Sequence, residues 1–290
     1  RPQWTRLIRY QNLQGQERYG EPVDPTMDIG LALANAEPIM APWENGRRLS
    51  ETEQVHRLLS PISAEMCGLI RAVGLNYVDH AIELKVPIPT VPTLFFKPSH
   101  AIAPPNTVII VPPVAQDEEL DFEVELAVII GRETKDAKET DAMDHVLGYT
   151  VANDLTARKH WQSSSQWGFC KGFDGFCPLG PCIVAAHAMD PHQLSLTTHV
   201  NGEIMQNGLT SSMIFSISKL VSYLSQGTTL PAGTVIITGT PPGIGDSRSP
   251  KVWLRHGDVV ECAISGGIGT LINTIEYGSP AKINRGSEGS

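Results

Sequence analysis

Two glutamates two residues apart inside an apolar run, LDFEVELAVIIG at residues 120–131, constrain this chain more than any other feature. A strand alternates its faces with period two, so Glu123 and Glu125 point one way while Val124 and Leu126 point the other. Two like charges about 4 Å apart repel by roughly 4 kcal/mol at an effective dielectric near 20, so the pair needs a cation or a retained proton. A divalent metal meets that need; on these residues alone, an exposed strand face with solvated charges meets it equally well. Asp154 offers a third carboxylate where the apolar segment 146–152 ends at Asn153-Asp154. Its alternative role is the N-cap of the segment beginning at Leu155.

A second constellation lies upstream in GLNYVDHAIEL, residues 74–84. Val73-Gly74 closes an apolar strand, and Asn76 is expected to cap a short helix on which His80 and Glu83, three apart, share a face. A carboxylate that orients and polarises an imidazole makes a base able to take a proton from water near neutral pH. An exposed helical pair worth a few tenths of a kcal/mol is the other reading of the same spacing. Residues 86–92 hold three prolines and read as a stiff flap, so 77–93 is expected to form a lid that is open or poorly ordered until ligand binds.

Composition bounds the rest. The 290 residues, 41% of them hydrophobic, suffice for one large domain and a smaller one. A net charge of -9 without a basic cluster disfavours nucleic acid and anionic membrane as partners. No apolar run reaches about 18 residues, so no transmembrane helix or signal peptide is expected. Five cysteines with no C-x-x-C pair argue against a disulfide framework and a zinc ribbon, which points to a reducing compartment, most simply the cytosol. A mitochondrial location stays open, because the chain does not begin with Met.

Along the chain, residues 1–67 read as a small N-terminal domain, with strand signals at 4–10 and 29–33 and helix character at 51–59. Residues 68–278 alternate short strand-like segments with Gly/Pro turns, and 216–224 is the clearest helix, giving an α+β pattern dominated by strands. The tail 279–290 is expected to be disordered.

Taken in order, GLNYVDHAIEL, LDFEVELAVIIG, Asn153-Asp154, CKGFDGFCPLGP, TGTPPGIG and GDVVECAISGGIGTLINTI resemble the fumarylacetoacetate hydrolase superfamily over residues 70 to 277. The resemblance implies a mixed β-roll that dimerises, and magnesium or manganese held by Glu123, Glu125 and Asp154. It carries the lid base over to His80 and Glu83, and a lysine beside the metal to Lys171. Thr240, in the glycine-rich loop, would hydrogen-bond a substrate carboxylate or carbonyl. Arg158 and Gln162 are candidate substrate ligands, although Ala157-Arg158-Lys159-His160-Trp161-Gln162 departs from the A-R-D-x-Q common in the family: the aspartate is absent and the glutamine displaced. His100, after Lys97-Pro98-Ser99, stands where a small hydroxylated residue is expected. An all-carboxylate site favours a hard cation. The expected substrate is a small anionic 2-oxo acid or 1,3-dicarbonyl, and the expected reaction is C–C hydrolysis of an acylpyruvate-like or fumarylacetoacetate-like acid through an ion-stabilised enolate. Decarboxylation, tautomerisation or isomerisation on the same site, and a non-catalytic ligand-binding protein, are the alternatives.

Overall fold

The structure, a computed structural model, describes residues 2–279 apart from 34, 44, 45, 50, 117 and 118. The tail expected to be disordered therefore lies, from residue 280, outside the described residues. Two sheets carry the fold. In the larger, strands follow the order Glu17–Pro22, Asn35–Met40, Glu53–Leu59, Arg6–Asn12, Cys177–Ala185, Val146–Asn153, Val124–Ile130, Val235–Ile237, Leu69–Gly74 and Thr93–Pro98. The second, of five strands, runs Glu203–Leu209, Ser195–Val200, Val259–Ile264, Gly269–Tyr277 and Thr107–Val111. Parallel pairs, Ile236 beside Arg71 and Cys177 beside Ile102 in the larger sheet and Asn273 beside Thr107 in the smaller, interrupt otherwise antiparallel ladders, which makes both sheets mixed.

The strand Val124–Ile130 is buried along its whole length, and its alternation sorts two cores. Val124, Leu126, Val128 and Ile130 pack toward Leu196, Val260, Leu271 and Ile275 of the second sheet. Ala127 and Ile129, on the face shared with the glutamates, pack with Ala72, Ala152 and Ile237. Each large aliphatic side chain removed from water here contributes roughly 1.5–3 kcal/mol, and Leu126→Ala would cost about 2–5 kcal/mol. The helix Ile217–Leu224 follows the sequence expectation: Ser216 caps it by accepting from the Lys219 N–H at 3.2 Å, and Ile217, Leu220, Val221 and Leu224 form its buried stripe.

The N-terminal region differs from expectation in two places. Residues 51–59 are not helical; Glu53–Leu59 is a strand antiparallel to Arg6–Asn12, because that ladder supplies its backbone partners and outweighs local helix propensity. Residues 29–33 are a turn, in which the N–H groups of Leu31 and Ala32 donate to the Asp28 carbonyl, and the strand begins at Asn35. The N-terminal meander also continues into the large sheet, since Arg6 pairs with Val184 and Leu7 with Ile183. Among the described residues no helix is long and apolar enough to cross a membrane.

Candidate active site

Where Val124–Ile130 begins, its ladder with Val146–Asn153 brings three acids together. The Glu123 carbonyl accepts from the Asp154 N–H at 2.8 Å, and the Glu123 N–H donates to Asn153 Oδ1 at 3.0 Å. Glu123, Glu125 and Asp154 each present one carboxylate oxygen, all within 4.8 Å of one another. All three are buried. The solvated strand face and the N-cap role for Asp154 are thereby set aside, since Asp154 caps nothing and the next helix starts at Arg158.

Three buried cations surround the acids. Lys171 Nζ donates to Glu123 at 3.0 Å, to Asp154 at 2.5 Å and to Thr156 Oγ1 at 2.7 Å. Lys97 pairs with the other Asp154 oxygen and donates to the Phe176 carbonyl at 2.5 Å. Arg158 pairs with Glu123 and, at 2.9 Å, with Asp121. Burial pushes Glu123 up, but Lys171 and Arg158 outweigh it and bring its pKa down to about 2. Glu125 has no ion pair among the described residues; its Oε2 accepts from the Gly239 N–H at 2.7 Å. Burial, then the Asp154 and Glu123 charges, push its pKa well above the ordinary range. Four carboxylates, counting Asp121, thus face three cations: the cluster balances when Glu125 keeps a proton, and becomes positive by one when a divalent ion replaces that proton. An all-oxygen set with one uncompensated acid fits a hard cation, and the resulting charge fits an anionic ligand.

Gly239 stands at φ +98°, and a Cβ there would come within 2.8 Å of Asn76 Cβ, so only glycine aims this N–H at Glu125. Asn76 itself is not the helix cap expected; it is fully buried and ties the Phe215 and Thr238 carbonyls to its amide. The helix Val78–Leu84 starts from Tyr77 with no side-chain cap. On it, His80 Nδ1 lies 2.8 Å from Glu83 Oε2, while Glu83 Oε1 accepts from the Gly243 N–H at 2.9 Å and Ser247 Oγ at 2.7 Å. Burial alone would raise the Glu83 pKa, but these hydrogen bonds outweigh it and hold it below the usual range. An ionised Glu83 only accepts, so Nδ1 carries the proton and Nε2 is left as a base. The lid expected to stand open is docked here through Glu83. A cavity of about 240 Å³ separates it from the acids, lined by His80, Glu123, Glu125, Lys171 and Thr240 together with Phe95, Trp161 and Trp167.

The family model described as fumarylacetoacetate hydrolase C-terminal matches residues 69–276. The chain belongs to the fumarylacetoacetate hydrolase family. It is 39% identical over 287 residues to a caffeoylpyruvate hydrolase of Neonothopanus nambi, covering 94% of this chain and 93% of that one. A mitochondrial oxaloacetate tautomerase of Homo sapiens is 47% identical over 207 residues, 70% of this chain and 65% of the relative's length. The 2-hydroxyhepta-2,4-diene-1,7-dioate isomerase of Mycobacterium marinum superposes with a TM-score of 0.81 at 36% identity, over 94% of this chain and 98% of that one. The mixed β-roll expected from the motifs is thus this family's fold.

In this member of the family the remaining candidates fall in different places. Thr240 lines the cavity, but its hydroxyl donates to the Val124 carbonyl at 2.9 Å and accepts from Gln206 at 2.8 Å, so its proton is already used. Arg158 turns inward to the acids, whereas Gln162, one turn on, is exposed and outside the cavity lining. His100 is exposed, and its carbonyl accepts from the Gly175 N–H at 3.2 Å. Cys170, next to Lys171, adds no nucleophile to these: it is buried and its thiol pKa is raised by that burial. Sequence reasoning passed over Lys97 and Asp121. Lys97 shares its buried strand face with Phe95, and Asp121 extends the period-two acid row of Glu123 and Glu125 by one step. An isolated lysine at a core-facing position was the available signal for the first, and the D-x-E-x-E row for the second.

Proposed function

We propose that the chain is a divalent-metal-dependent hydrolase that cleaves the C–C bond of an acylpyruvate-like 1,3-diketo acid, yielding pyruvate and a carboxylic acid. One observation carries the reading: a hydrogen-bonded His80–Glu83 pair faces a buried acid cluster across a single cavity. The caffeoylpyruvate hydrolase that matches nearly the whole chain supports it. Magnesium or manganese, held by Glu123, Glu125 and Asp154, would act as a Lewis acid toward the 2-oxo carbonyl and carboxylate. His80 Nε2 takes a proton from water, and Glu83 holds the Nδ1–H and steadies the imidazolium that forms. The hydroxide adds to the acyl carbonyl; the bond to the central carbon breaks, and its electron pair leaves as pyruvate enolate, which a proton then quenches. Lys171 and Arg158 keep Glu123 ionised throughout, and the docked lid limits the water that enters.

Enolate chemistry without water delivery is the second reading, favoured by the oxaloacetate tautomerase relative. Incubation of the protein and Mg²⁺ with acetylpyruvate, benzoylpyruvate and oxaloacetate, with product identification, decides between them. Pyruvate and the matching acid, formed with Mg²⁺ and not with chelator, are expected. Oxaloacetate tautomerisation with intact diketo acids would overturn hydrolysis in favour of the second reading. We further propose a homodimer. Val108 and Ile110, on the sheet's edge strand, and Phe169 beside them expose 48%, 51% and 60% of their surface and suit a partner copy. A cytosolic location is the accompanying proposal, supported by five free, buried cysteines; the human relative is named as mitochondrial.

A further inference from the structure

The catalytic cavity has two unlike ends. From the acid cluster, a continuous aromatic wall leads outward: Lys171 Nζ lies 5.3 Å from the Phe95 ring centroid, Phe95 meets Trp167 edge to face at 5.2 Å, and Trp167 stacks on Trp161 at 6.0 Å with 26° between planes. The wall is built into the backbone, because a Cβ at Gly74 would lie 2.5 Å from Trp167 Cζ3. Leu84 and Val86, from the lid, line the same cavity and keep 38% and 41% of their surface exposed. The cavity's lysine and arginine both turn to the acid cluster, Lys171 with three hydrogen bonds there and Arg158 through Nε and Nη2, and neither is among the aromatic side chains of the tryptophan end. About 150 Å³ admits a benzene ring, and this cavity offers about 240 Å³.

We propose that the tryptophan end is an aryl-binding slot in which Trp161 and Trp167 determine specificity, selecting diketo acids whose acyl group ends in an aromatic ring over small or carboxylate-terminated acyl groups. This rests on the diketo-acid reading above. An aryl ring between the indoles and the lid buries apolar surface on both faces, where a fumaryl carboxylate would be desolvated against Leu84, Val86 and the indoles. Trp161 lines the cavity, while the neighbouring Gln162 does not.

The test compares kcat/KM for benzoylpyruvate, acetylpyruvate and fumarylpyruvate in the wild type, Trp161→Ala and Trp161→Phe, all with Mg²⁺. Calorimetric binding of phenylpyruvate and pyruvate is measured on the same proteins. The wild type should favour benzoylpyruvate over each competitor by about tenfold or more, and phenylpyruvate over pyruvate by a similar factor. Trp161→Ala should bring both ratios close to one, and Trp161→Phe should restore most of each. A preference for fumarylpyruvate, or ratios that Trp161→Ala leaves unchanged, would overturn the slot. If no diketo acid is cleaved but phenylpyruvate keeps its Trp161-dependent advantage, the hydrolase reading falls and the slot stands. Gly74→Ala, which forces Trp167 to move, should erode the same ratios in a folded protein; unchanged ratios with Trp167 displaced would remove Trp167 from the assignment.

Discussion

The floor of the cavity takes its acids and Lys97 from packed strands and their ends, takes Lys171 from the short helix Gly168–Lys171, and leaves Asp154 and Lys97 with no exposed surface, whereas the lid helix Val78–Leu84 exposes 68% of Ile82 and is tied across the cavity through Glu83. Each floor side chain answers several others, so removing one strands the rest. The lid's chemistry rests on one imidazole and one carboxylate. Substitution in the floor should therefore strike folding and activity together, and substitution in the lid chiefly activity.

The largest expected effect is that of Asp154→Asn, which leaves Lys97 and Lys171 without their shared partner. Breaking a buried ion network from one side costs about 3–5 kcal/mol, to be read from urea denaturation, and turnover should vanish with it. An Asp154→Asn protein as stable as wild type would dissolve the distinction between floor and lid. Next comes metal removal: chelation should abolish activity, and Mg²⁺ or Mn²⁺ at about a thousand times the dissociation constant should stabilise the protein by roughly 4 kcal/mol, visible as a rise in Tm. Full turnover in protein shown by elemental analysis to be metal-free would end the metal assignment.

A smaller effect is expected from the lid. His80→Ala and Glu83→Gln should each lower diketo-acid hydrolysis about 10²-fold, with the urea midpoint falling far less than in Asp154→Asn, while oxaloacetate tautomerisation falls less. Equal losses in both reactions would mean that the pair does not deliver water. The smallest effect is in protons. Glu125 has a raised pKa in the metal-free fold, so its contribution is fully present below the ordinary glutamate value of 4.5 and is lost as pH rises through the raised one. Glu83 is depressed and runs oppositely, stabilising above 4.5 and losing that as pH falls through its folded value. Metal binding must displace the Glu125 proton, so apparent affinity should climb with pH above 4.5, with proton release detected by titration calorimetry in two buffers of different ionisation enthalpy. Binding without proton release anywhere in that range would contradict the environment assigned to Glu125.

What sequence reading recovered, and what it missed, divide along physical lines. The acid row, Asp154, the His80–Glu83 pair and the Ser216-capped helix depend on short-range periodicity, which is written in neighbouring residues. The pairing of Lys97 with Asp154, the bridge made by Asn76 and the strand at Glu53–Leu59 depend on chain segments brought together from afar. The side chain of Asn76 suits a cap locally, while the structure spends it on carbonyls 139 and 162 residues away. The motif shows the position of Arg158 but not its pairing with Asp121 and Glu123, 37 and 35 residues away.

The pairing of Arg6 with Val184 has a consequence for the chain as it is made. At the usual translation rate of about 5–20 residues per second, a nascent chain waits roughly 9–36 s between emergence of the first strand and of its partner. Through that interval residues 9–12 can already pair with Glu53–Leu59, but Arg6 and Leu7 have no ladder to join on that edge, and an unpaired edge invites association with other chains. The order of synthesis thus leaves this end of the strand to be sealed long after it is made, and production in cells should gain from slow growth or abundant chaperones more than from any change near the acids.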